Sequence, residues 1–107
     1  MIAQGLVADM ELGLDASGII TKVGVGVKHA KVGDRVATFG LGTYRTLLRT
    51  HESLVTTLPD DLSFEEGASL PAAYVTAYQA IVRAGYLSRG ETILIHSAAG
   101  GKSILFL

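Results

Sequence analysis

The sequence predicts an α+β chain: a β-rich body, then a helical bridge, then the first strand of an α/β unit. Three observations carry that reading. Short β-prone runs divided by glycine turns fill the first half. A helix-capping pair, Ser63 with Glu66, stands just after Pro59, where the texture changes. Late in the chain the apolar run 92–95 meets the small residues Ser97, Ala98, Ala99, Gly100 and Gly101 at once.

Composition supports one modest domain. The chain has 107 residues, 49% hydrophobic and 18% charged, enough apolar content to bury a core. Thirteen glycines against two prolines suit a body with many tight turns. The net charge is -1 with neither sign clustered, which argues against a nucleic-acid footprint or an anionic membrane surface. Cysteine is absent, so disulfides, thiol catalysis and cysteine zinc sites are excluded. No apolar run approaches the ~20 residues of a membrane span. The first residues lack the pattern of a secretory signal. A cytoplasmic setting is therefore expected.

Taken in order, residues 1–7 are apolar and suit a strand or the last turn of a helix, and 8–11 make a polar break. Residues 14–27 read as strand material, bent at Gly24-Val25-Gly26. The run from Lys31 to Arg35 is a turn, with a small residue where φ is expected to be positive. Residues 36–39 form a strand, Gly40-Leu41-Gly42 a turn, and 44–50 and 54–58 two further strands. The helix opened by Ser63 should be short, because Pro71 stops or kinks it. A second helix is predicted over 72–83, with Tyr74, Ala77, Tyr78 and Ile81 on one apolar face, and Gly85 ending it. Residues 87–90 form a loop before the late strand. A turn as small as 97–101 lets backbone approach a pyrophosphate whose charge rests on a helix N-terminus.

Three blocks now resemble a known family. The first runs from Leu12 to Ile20, with Val23-Gly24-Val25-Gly26-Val27 and the turn Lys31 to Val36. The second runs from Leu58-Pro59-Asp60-Asp61 to Ala68, then Leu70-Pro71 and Tyr74 to Tyr78. The third runs from Gly90 to Gly101. Together they resemble the medium-chain dehydrogenase/reductase superfamily. Within it they are most similar to enoyl reductase domains of polyketide and fatty acid synthases, above all the highly reducing fungal polyketide synthases; quinone oxidoreductases come next. The resemblance implies a GroES-like portion over 1–58, bridging helices over 59–89, and a truncated start of an NADP-binding Rossmann domain over 90–107. It also implies a fragment trimmed at both ends.

The same resemblance implies NADPH as cofactor and an enoyl thioester, or another activated alkene carried on an acyl carrier, as substrate, with other synthase domains as partners. Hydride would pass to the β-carbon and a proton to the α-carbon. Thr76 on the bridging helix and Ala98, Gly100 and Gly101 in the turn are its implied cofactor contacts; no catalytic residue is assigned. Zinc-dependent relatives carry Gly-His-Glu where this chain has Gly13-Leu14-Asp15. Leucine cannot ligate a metal, so no metal is expected, and Leu14 reads as a core residue. Asp15 is structural or pairs with Arg35. The turn departs from Gly-x-Gly-x-x-Gly, with Ala98, Gly100 and Ser103 at the three positions and Lys102 in an apolar slot. A phosphate loop of the Gly-Lys-Ser kind fails, because His96 holds its first glycine position. His96 reads as a strand-end residue, and Val7 stands where some relatives place a proton-donating tyrosine. His29 and His51 read as solvated loop residues, and Glu65 and Glu66 as servants of the helix start. Two alternatives stay open: an NADPH quinone oxidoreductase-like enzyme, and a non-catalytic GroES-like remnant.

Overall fold

A computed structural model describes residues 11–100. The chain divides into two compact units, Met1–Pro71 and Ala72–Leu107. The expected element over 1–7, Val7, and the positions Gly101, Lys102 and Ser103 lie outside the described residues.

The first unit is built on a three-stranded antiparallel sheet in the order β1-β2-β3. Strand β1 is Asp15–Ile19, β2 is Arg35–Phe39 and β3 is Val55–Thr57. Gly18 faces Val36 and Ser17 faces Ala37, while Val36 faces Thr57 on the other side. The sheet's middle is thus lined with small residues, and a helix can come close to it. Helix α1, Phe64–Ser69, does so and lies against β1 and β2. Two contacts fix it there: the Ser17 hydroxyl donates to the Phe64 carbonyl, and Gly67 is buried against Leu58. Ala37 and Leu58 are the buried apolar residues of this unit among those described.

Helix α1 starts as the sequence predicts. Glu66 N–H donates to the Ser63 hydroxyl at 3.2 Å, and Ser63 N–H donates to the Glu66 carboxylate at 2.9 Å. Both halves of the capping box are therefore present. The helix stops before Pro71, which opens α2, Pro71–Tyr78. Proline suits a first helical turn because its missing N–H would have no partner there.

Several boundaries differ from the sequence expectation. The strand read over 14–27 ends at Ile19. The ladder extends only to Ile20, which exchanges hydrogen bonds with Gly33 and Asp34 before the chain leaves the sheet. Gly33 has the expected positive φ, +95°. The strand read over 44–50 does not form: only Tyr44 N–H reaches Leu12 O, and Arg45 N–H turns back to Thr43 O. The β propensity of those residues goes unused because, among the described residues, no strand stands opposite them. The strand read over 54–58 is shortened to β3, with a 3₁₀ turn at Glu52–Leu54 before it.

In the second unit the helix read over 72–83 is α2 followed by a π-helical turn at Gln79–Ala84. Its predicted apolar face is only partly used: Ala77 is buried and Ile81 half-buried, while Tyr74 and Tyr78 are exposed. Gly85 ends the helix but keeps a helical φ of -83°. The left-handed residue is Tyr86, at φ 48°, because the π turn widens the last bond to Gly85 N–H→Ala80 O. Residues 92–95 join no ladder, and Leu94 is 79% exposed. A parallel-type strand needs neighbours on both edges, and among the described residues none stands beside it.

Candidate functional site

The turn after residue 95 is where the sequence placed its cofactor contacts. Residues 96–99 form a turn, closed by Gly100 N–H→Ser97 O at 2.9 Å. Ser97 takes the left-handed conformation, φ 56°. Ala98 and Gly100 stand in this one turn, both exposed, and His96 opens it, also exposed. A Cβ at Gly100 would meet only Ser97 O, at 3.4 Å. The loop before it is held by a reciprocal pair: Glu91 N–H donates to Ser88 O at 3.1 Å, and Ser88 N–H to the Glu91 carboxylate at 2.6 Å.

Thr76 is on α2. Its hydroxyl donates to Ala72 O at 2.6 Å, one helical turn back, and the side chain is exposed. Within the same unit an open depression of about 510 Å³ is lined by Ala80, Ile81, Gly85, Leu87, Glu91, Thr92 and Ile93. Its walls are polar and apolar in about equal measure, and it joins the π-helical turn to the run 92–95. Thr76, Ala98 and Gly100 are not among its lining residues.

In the first unit the block that zinc enzymes use is held by a second short ladder. Gly40 N–H donates to Leu14 O, Gly42 N–H to Gly13 O and Tyr44 N–H to Leu12 O. Gly13 has φ +91°, and a Cβ there would fall 2.3 Å from the Thr43 hydroxyl oxygen and 2.7 Å from the Tyr44 ring. Only glycine fits. Leu14, expected in the core, is nearly half exposed at 46%. Thr43 is 6% exposed, and its buried hydroxyl has no hydrogen-bond partner among the described residues. Among the described residues no three His, Asp or Glu side chains gather as a metal set.

Arg35 does not pair with Asp15, since the register sets them at opposite ends of the β1–β2 ladder. Its guanidinium donates to Pro59 O at 2.9 Å, to Asp60 O at 3.1 Å and to Leu62 O, and it lies 4.7 Å above the Phe64 ring. Five donors in a planar fork suit three carbonyls of an unladdered loop. Sequence reasoning missed this role because loop carbonyls carry no signature in the residue letters. It also missed His51, read as a solvated loop residue: the imidazole Nδ1 accepts Ser53 N–H at 3.2 Å and caps the 3₁₀ turn. Glu65 and Glu66 sit in the first turn of α1 as expected. Hydrogen bonds from Ser63, backbone N–H first and side chain second, hold the Glu66 carboxyl below its usual value.

Residues 1–60 match the alcohol dehydrogenase GroES-like domain. A highly reducing polyketide synthase of Cryptosporiopsis sp. (strain 8999) is 46% identical over 101 residues, covering 94% of this chain and 4% of that protein. The chain thus spans about 4% of the length of the curated relatives it matches. Among solved structures, the CurK enoyl reductase superposes with TM-score 0.84 at 31% identity, over 90% of this chain and 29% of that one. A quinone oxidoreductase of Pseudomonas syringae pv. Tomato DC3000 superposes with TM-score 0.79 at 36% identity, over 89% and 30%. The mycobacterial protein Rv1454c, solved with NADPH, superposes with TM-score 0.83 at 28% identity, over 97% and 34%.

Proposed function

Because the chain belongs to the alcohol dehydrogenase GroES-like domain family, we propose that it is part of a zinc-independent, NADPH-dependent enoyl reductase of a reducing polyketide synthase. The observation that carries this is the agreement with such synthases along nearly the whole chain. On this reading 1–58 is the GroES-like portion, 59–89 the bridge, and 90–107 the opening of the nucleotide-binding portion. The substrate is an enoyl thioester presented on an acyl carrier, and the partners are the other domains of the synthase.

The residues present suit a nicotinamide dinucleotide in size and donor set. Ala98 and Gly100 are small and exposed, so a phosphate can approach their backbone. Gly101 continues that turn in the sequence. Thr76 gives its hydroxyl proton to Ala72 O, and its oxygen keeps lone pairs to accept from a carboxamide NH₂. When bound, the cofactor supplies a hydride to the β-carbon of the alkene. Leu14, at the position zinc enzymes give to histidine, offers no ligand. The enolate oxygen must then be held by hydrogen-bond donors in place of a metal.

Fluorescence titration with NADPH tests the reading on this chain. Saturable binding in the micromolar range, weakened by Gly100→Val, is the expected result. Absence of binding would leave the chain a non-catalytic GroES-like portion. The quinone oxidoreductase reading is favoured by the superposition on the Pseudomonas enzyme. Ketosynthase or acyl-carrier motifs in the neighbouring reading frame decide for the synthase; their absence decides for the free-standing reductase.

A further inference from the structure

We propose that His51 is an acid-sensitive latch on the loop that joins β1 to β2. The latch has two links. The neutral imidazole accepts Ser53 N–H on Nδ1 at 3.2 Å, with the Ser53 hydroxyl 2.9 Å from the same nitrogen. This cap starts the turn Glu52–Leu54. The turn in turn presents the Glu52 carboxylate to Lys28 N–H at 3.1 Å, across 24 residues of sequence. Loop 20–34 is thereby tied to the segment that leads into β3.

The chemistry makes the first link conditional on charge. A nitrogen that accepts a backbone N–H must carry a lone pair, so the cap exists only while Nδ1 is unprotonated. Protonation gives Nδ1 its own hydrogen, which the Ser53 hydroxyl can accept but the Ser53 amide cannot. The amide loses its acceptor and the turn loses its cap. The surrounding charges are Glu52 on the turn itself and Lys28 and His29 on the loop; His29 and His51 both bear electrostatically on Glu52. On the same loop Lys28, His29, Ala30, Lys31 and Asp34 line a shallow hollow.

Amide hydrogen exchange on the whole chain, with His51 titration followed from its ring signals, tests the latch. Protection at Ser53 should fall about fivefold across that titration, the size of a typical cap, and protection at Lys28 should fall with it. In His51→Asn the amide side chain caps at every pH, so both protections should hold through acid. In His51→Ala both should stay at the low value throughout. Protection at Ser53 that is unchanged when His51 titrates, or that falls equally in His51→Asn, overturns the proposal.

Discussion

At the scale of single residues, two positions carry sharp expectations. The Thr43 hydroxyl is buried without a partner among the described residues, and leaving such a group unsatisfied costs about 1–3 kcal/mol. Thr43→Val keeps the shape and removes the hydroxyl, so the variant should be more stable by about 1 kcal/mol in urea denaturation. Gly67 is the opposite case. A Cβ there would fall 2.6 Å from Leu58 Cδ1, in a close-packed site where one added methyl costs about 1–3 kcal/mol. Gly67→Ala should destabilise by that much, and Leu58→Val in the same chain should recover part of the loss, a coupling read from a double-mutant cycle. Neither residue was legible from the sequence. Gly67 reads there only as a glycine inside a helix, and the burial that gives it meaning belongs to a partner nine positions away.

At the scale of elements, helix α1 was legible, while β1 was legible in its existence and not in its length. Ser63 and Glu66 lie three residues apart, and their box needs nothing beyond the local backbone. Ser63→Ala should lower stability by about 1 kcal/mol. The box also implies a pH dependence. Glu66 is held below its usual value in the folded chain, so its contribution is present above the unfolded carboxylate value and is lost as pH falls through the folded one. Glu66→Gln should flatten that acid limb of the stability curve, measured by denaturation at a series of pH values. Arg35 works between elements: it binds three carbonyls of the segment before α1 and covers Phe64. Arg35→Lys keeps the charge but loses the fork, and should cost about 1–2 kcal/mol. The strand read over 14–27 is cut short and the one read over 44–50 does not form, for a common reason. Propensity marks where a strand is possible, while length is set by the residues available to pair.

At the scale of the whole molecule, the buried apolar set among the described residues is small, namely Ala37, Leu58 and Ala77. Large apolar residues stand exposed in both units, among them Tyr44 and Leu47 in the first and Tyr86 and Leu94 in the second. The isolated chain should therefore bind a hydrophobic dye and self-associate. A cooperative, monomeric thermal transition without dye binding would contradict this.

The sequence by itself determined the family, the capping box, the glycine turns at Gly33 and Gly42, and the small-residue turn after residue 95. These rest on local geometry or on short blocks whose order survives in the letters. Only the tertiary structure decided where β1 ends, that Gly67 seats against Leu58, that Arg35 serves a loop and not Asp15, and that 92–95 lacks a ladder. Each of these depends on a partner distant in sequence or on the lack of one nearby, and pairing between distant segments leaves no mark on either segment alone.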